Sequence, residues 1–205
     1  MRKIIYTLSI VLGLGLSANA QIEKLAGPRL GAVYISASPA SGFLNGTTDL
    51  FDDLDEDFDP KGTVTSLYGW QFESRFADGY QVTGIVEWIL LVGGMERGKF
   101  LPSASSMVGA RMANGLEFAV GPNLSLGGIA MVFGMGYNFK VGDLNMPVNL
   151  AFVPGRAATG EGYFEGNSGP DNQWGTPDDV PAYNYDVPYH TGNRISITLG
   201  FNLGR

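Results

Sequence analysis

The segment Arg194-Ile195-Ser196-Ile197-Thr198-Leu199-Gly200-Phe201-Asn202-Leu203 alternates along its whole length. Ile195, Ile197, Leu199, Phe201 and Leu203 fall on one side, and Ser196, Thr198, Gly200 and Asn202 on the other. Such a period of two is a strand with one apolar and one small, polar face. In a soluble sandwich the apolar face packs inward. In a membrane-spanning barrel it faces lipid, and the polar face lines the lumen. The remainder of the chain decides between the two.

The first twenty residues read as a secretory signal. Arg2 and Lys3 are its charged start, 4–16 its apolar stretch, and Ala18-Asn19-Ala20 an A-x-A cleavage site. The apolar run is shorter than the ~20 residues a spanning helix needs. No later stretch reaches eighteen apolar residues, so a membrane crossing requires strands closed into a barrel. The chain has no cysteine, which excludes disulfides, thiolate metal sites and a lipoprotein anchor. Its length of 205 residues fits one domain after the signal. The net charge of −7 becomes more negative once the basic signal is removed, which argues against nucleic acid as a partner.

Seven further strands are expected, at 29–38, 64–76, 80–92, one ending at 112, one starting at 116, 129–141 and around 148–152. The facing of the first is ambiguous, because Val33 and Ile35 compete with Tyr34 for the outside. In the second, Tyr68, Trp70, Phe72 and Phe76 share one face, and Gly69, Gln71, Glu73 and Arg75 the other. In the third, Tyr80, Val82, Val86, Trp88, Leu90 and Val92 face outward, and Gln81, Thr83 and Glu87 inward. A three-residue turn at 77–79 places Phe76 opposite Tyr80 and Arg75 opposite Gln81. A three-residue turn at 113–115 sets Arg111 opposite Glu117, a favourable cross-strand ion pair. A two-residue turn would mix the faces. Met131, Phe133, Met135, Tyr137, Phe139 and Val141 form an outward stripe, with Gly134, Gly136, Asn138 and Lys140 behind it. A third turn covers 142–145.

The connections alternate in length. Turns at 77–79, 113–115 and 142–145 are short. Those at 39–63, about 93–103, 121–128 and 155–192 are long. The expected fold is therefore all-β: an eight-stranded antiparallel up-and-down transmembrane β-barrel, with 39–63 and 155–192 as long outer loops. A soluble lipocalin-like barrel would turn the aliphatic stripe inward and carry many more exterior charges.

On this pattern, and on the closing Gly200-Phe201-Asn202-Leu203, the chain resembles the small eight-stranded outer-membrane barrels. Examples are the OmpA transmembrane domain, OmpX and the small barrels of Bacteroidota. The resemblance implies an outer-membrane location, contact with outer-membrane lipid and no required cofactor.

Eight strands leave an interior just wide enough for side chains. Glu73, Glu87 and Glu117 against Arg75, Arg111 and Lys140 form an expected lumen ionic network. It reads either as a charge-gated pore or, given the strand number, as a polar core. In the first long loop, Asp53, Asp55, Asp57 and Asp59 have the spacing of a hard-cation site, with calcium as the candidate. Phe58 and Val64 stand where an EF-hand loop needs glycine and glutamate, so it is not one. The second long loop carries Trp174, Asp178, Asp179, Tyr183, Tyr185 and Tyr189, a set suited to protein or glycan contact or to folding onto the barrel rim. His190 is the sole histidine, and Gly192 stands where a lipid A deacylase-type barrel has its serine. The sequence thus points to a non-enzymatic barrel with a structural or interaction role, acting alone or as an accessory subunit of a larger outer-membrane complex. The alternatives are a narrow pore or small-ligand carrier, then a lipid-modifying enzyme.

Overall fold

The computed structural model describes residues 25–48, 59–142, 144–170 and 172–203. The signal at 1–20 lies outside them. In chain order the elements are β1 (Leu25–Ile35), α1 (Pro39–Asn45), β2 (Thr63–Asp78), β3 (Val82–Gly93), a 3-10 turn (Met95–Arg97), β4 (Leu101–Met112) and β5 (Leu116–Ser125). Then follow β6 (Gly128–Val141), β7 (Leu144–Val153), β8 (Ala157–Phe164), β9 (Tyr183–His190), β10 (Arg194–Gly200) and β11 (Asn202–Leu203). Strands β1 to β7 pair antiparallel in sequence order. β10 pairs with both β7 and β1, which closes the sheet. β11 continues β10 past Phe201, so eight strands make a closed up-and-down barrel. Closure removes the free edges that an open sheet exposes. One end carries three short turns, and the other carries the three long connections together with the tight β5–β6 turn at 126–127; these are the turn end and the loop end below.

The alternation sets the faces. Arg29, Val33 and Ile35 of β1 are buried, whereas Leu30 and Tyr34 are exposed, which resolves the facing of the first strand. The exposed outward positions include Tyr68, Trp70 and Phe72 on β2, Phe118 and Val120 on β5, and Met131, Phe133, Met135, Tyr137 and Phe139 on β6. Ile195, Ile197 and Leu199 complete the surface on β10.

Four local expectations are corrected. The first turn is 79–81, not 77–79. Arg75 and Ala77 pair with the consecutive residues Ile85 and Gly84, so Phe76 is an extra residue in a bulge. Arg75 is therefore opposite Ile85 rather than Gln81. The expected loop 121–128 shrinks to a turn at 126–127, because β5 runs to Ser125 and β6 starts at Gly128. The β4–β5 ladder passes from Val108–Val120 to Ser105–Asn123, omitting Gly121 and Pro122. A proline has no N–H to donate, and the strand continues across this gap. Similarly, β7 starts at Leu144, which shortens the third turn.

The long loops contain structure as well. Pro39 starts α1, and Ser38 caps it: its Oγ accepts from Ser41 N at 3.3 Å, and its own N donates to Ser41 Oγ at 2.9 Å. Gly46 ends the helix in the left-handed region at φ 73°. Within 155–192, β8 and β9 form a two-stranded hairpin separate from the barrel sheet. Pro188 and the glycines of β8 disguise it, yet an edge strand tolerates both.

Candidate functional site

The lumen is layered, and the layers follow the inward residues of each strand. At the turn end is a mouth of about 530 Å³ lined by Arg75, Thr83, Arg111, Asn138, Lys140 and Asn145, among others. Lys140 is exposed there and forms no ion pair among the described residues. Its assignment to the network is corrected: it lies one turn-end step beyond the charges that pair. Arg75 is at the edge of the network, its Nε 3.9 Å from Glu73 Oε1.

Above the mouth lies an ionic layer. Arg111 is opposite Glu117 on β4 and β5, as the turn length requires. Its Nε donates to Glu117. Its two terminal nitrogens donate to the two oxygens of Glu73, one of them at 2.7 Å. Glu73 in turn is directly opposite Glu87 on β2 and β3. Two like charges in that position repel. The layer resolves the conflict by giving each carboxylate its own donor. Glu73 takes Arg111, and Glu87 accepts from Gln71 Nε2. Gln71 Oε1 accepts from Arg29 Nε at 2.7 Å. The Glu73 side chain is 0% exposed, so it depends on these partners in place of water.

Arg29 and Gln71 were absent from the expected network. The signal for Arg29 was available: a cation in a strand whose other face is apolar belongs in the lumen. Its guanidinium also lies across Gly200, where an added Cβ would sit 1.1 Å from Arg29 Nη1. Glycine at that position of the last strand makes room for the arginine of the first.

Beyond the ionic layer the lumen turns apolar, which corrects the expectation of a polar core throughout. Val33, Ile35, Leu44 and Leu67 form one buried cluster, and Met107, Val132 and Val153 another. Between them is a chamber of about 130 Å³, with Glu87 and Glu117 also on its wall. Arg194 lines this chamber too.

A stitched cap covers the loop end. Leu44 of α1 is buried in the first cluster. Arg97 donates to Leu44 O at 3.3 Å, Asn45 Oδ1 at 3.0 Å and Val64 O at 2.9 Å. Lys99 Nζ stands 4.3 Å from the centre of the Phe43 ring. Glu96 accepts from the Ser66 and Thr65 hydroxyls and from Ser66 N at 3.1 Å. Those donors, Ser66 first and then Thr65, hold its carboxyl down to about 2. A carboxyl lowered in the fold stabilises it above the unfolded value of about 4.3, and that contribution is lost as pH falls towards the folded value. The Ser66 amide resonance should therefore titrate with a midpoint near 2 in an NMR pH series, and Glu96→Gln should abolish the step. A midpoint at an ordinary glutamate value would refute the clamp.

The loop residues divide. Asp53, Asp55 and Asp57 lie outside the described residues; Asp59 is exposed ahead of β2. Among the described residues no group of three or more His, Asp or Glu is placed to hold a metal ion. Asp178 and Asp179 serve the hairpin tip: Thr176 Oγ1 donates to Asp178 Oδ1 at 2.7 Å, and Gly175 N to Asp179 Oδ2 at 2.6 Å. Tyr183, Tyr185 and Tyr189 share a face of β9, with the first two rings 6.1 Å apart and Phe164 5.1 Å from Tyr183. Trp174 is exposed at the tip, apart from that face. His190 Nδ1 accepts from Gly192 N at 3.1 Å, a rim contact.

The outward positions of the described barrel strands hold no Asp, Glu, Lys or Arg. No protein-family model matches the chain, and no curated protein matches it in sequence.

Proposed function

We propose that this chain is a non-enzymatic outer-membrane β-barrel protein with a structural or interaction role, its loop end presented to partners. One observation carries the membrane part. The barrel is charged inside and uncharged outside, the inverse of a soluble domain. Its exposed apolar surface runs around the whole barrel, far beyond the few hundred Å² a soluble monomer shows. Rings gather on that surface near the turn end, where Phe76, Tyr80, Tyr137 and Phe139 are exposed. Such a girdle suits a lipid–water boundary. The interaction part is supported by the β8–β9 hairpin, with Tyr163, Trp174 and Tyr183 exposed. The ionic layer between mouth and chamber favours a closed lumen over a pore.

Fractionation of cells expressing the tagged full chain tests this reading. The expected result is recovery with the outer membrane after a urea wash, a heat-sensitive electrophoretic mobility and no steady conductance in planar bilayers. Detergent-independent solubility would overturn the membrane assignment, and stable conductance the closed lumen. Native mass after mild extraction tests the partner: a barrel-sized species alone would remove the accessory-subunit role.

A further inference from the structure

We propose that the loop-end chamber binds a small carboxylate with an apolar body of roughly six carbons, the carboxylate resting on Arg194. The size follows from the void. The chamber is about 130 Å³, and an apolar cavity of about 150 Å³ takes a benzene ring. The wall fits such a body, with Ile35, Leu67, Met107, Val132 and Val153 buried around it.

The charge of the ligand follows from Arg194. It opens β10 on the inward side, in register between Ile35 of β1 and Val153 of β7. Both neighbours are buried and apolar. The Arg194 side chain makes no hydrogen bond or ion pair with any described residue. The other lumen arginines behave differently: Arg29 donates to Gln71, and Arg111 to two glutamates. Arg194 is half-buried, so its guanidinium is only partly hydrated, and a carboxylate matches its fork with two parallel hydrogen bonds. Glu87 and Glu117 on the same wall repel a second anion, which fixes the ligand's polarity: head at Arg194, body in the apolar chamber. The proposal does not rest on the membrane reading, because the chamber is inside the barrel whatever surrounds it.

The test uses the folded full chain, in phosphatidylcholine nanodiscs or, where fractionation finds it soluble, in buffer, and [1-13C]hexanoate followed by NMR, with empty nanodiscs correcting for partition into lipid. One saturable site is expected. Arg194→Leu should weaken it at least tenfold, and Arg194→Lys should restore part of the loss. Hexanol should bind more weakly and ignore Arg194→Leu. Heat-dependent mobility reports whether each variant is folded. If Arg194→Leu fails to fold, Arg194→Gln takes its place, and the wild-type titration stands on its own. No saturable binding by folded wild type at millimolar hexanoate would overturn the proposal. So would binding that folded Arg194 variants leave unchanged.

Discussion

Arg111→Met should cost roughly 3–5 kcal/mol, the penalty for removing one partner from a buried ion pair. The residue serves two carboxylates at once, Glu73 and Glu117. Without it, both stay in the lumen with Glu87 directly opposite Glu73. The loss comes from stranded charge rather than from lost packing, since methionine fills much of the same volume. That distinction is testable. Adding Glu73→Gln and Glu117→Gln to Arg111→Met should recover most of the stability, because neutral groups cost far less to bury. Urea unfolding in lipid vesicles, read by tryptophan fluorescence, measures both. A single variant within about 0.5 kcal/mol of wild type would show that the layer is hydrated and energetically unimportant.

Met135→Arg should cost about 2–4 kcal/mol in a bilayer, the range for a cation at the midplane of a lipid-facing strand. Met135 lies near the middle of β6, facing outward between Phe118 and Leu150. In water, an arginine at an exposed site changes stability by at most about 0.5 kcal/mol. The same substitution at Tyr163, on the hairpin, should have only that small effect. A large difference between the two positions means lipid against the barrel wall. Equal, small effects would mean that the wall faces water or a polar partner.

The strands were legible because alternation survives in short stretches. Ile195 to Leu203 and Met131 to Phe139 need no tertiary information to assign. The Arg111–Glu117 pair was legible because one tight turn fixes its register. Glu73 and Glu87 were assigned inward, yet their direct opposition was not, because it depends on a bulge at Phe76 that nothing local announces. β1 was ambiguous because its inward positions are themselves apolar. Val33 and Ile35 face a chamber whose wall is as greasy as the exterior, so polarity alone does not label the sides there. Arg29 was the residue that could have broken the tie. Helix α1 was written in Ser38-Pro39 and Gly46, but seven residues inside a long acidic loop give little period to read. β5 beyond Val120 was hidden by Gly121-Pro122, which read as a break and are instead a gap in a ladder. Arg194 went unassigned because it has no charged neighbour in register to suggest a role.

The seam between first and last strands has a consequence for how the molecule is made. Asn193 N donates to Ser36 Oγ across 157 residues of chain, and Arg29 settles over Gly200 along the same seam. The other barrel pairings close far shorter stretches of chain, the longest being the connection from β7 to β10 that carries the β8–β9 hairpin. The seam alone must wait for the final residues and then close the longest loop in the protein. Until it does, the chain is a curved sheet with two open edges and its lumen charges unsheltered, a state prone to pairing with other copies. Synthesis rate and escort of that intermediate, rather than the stability of the finished barrel, should set its yield.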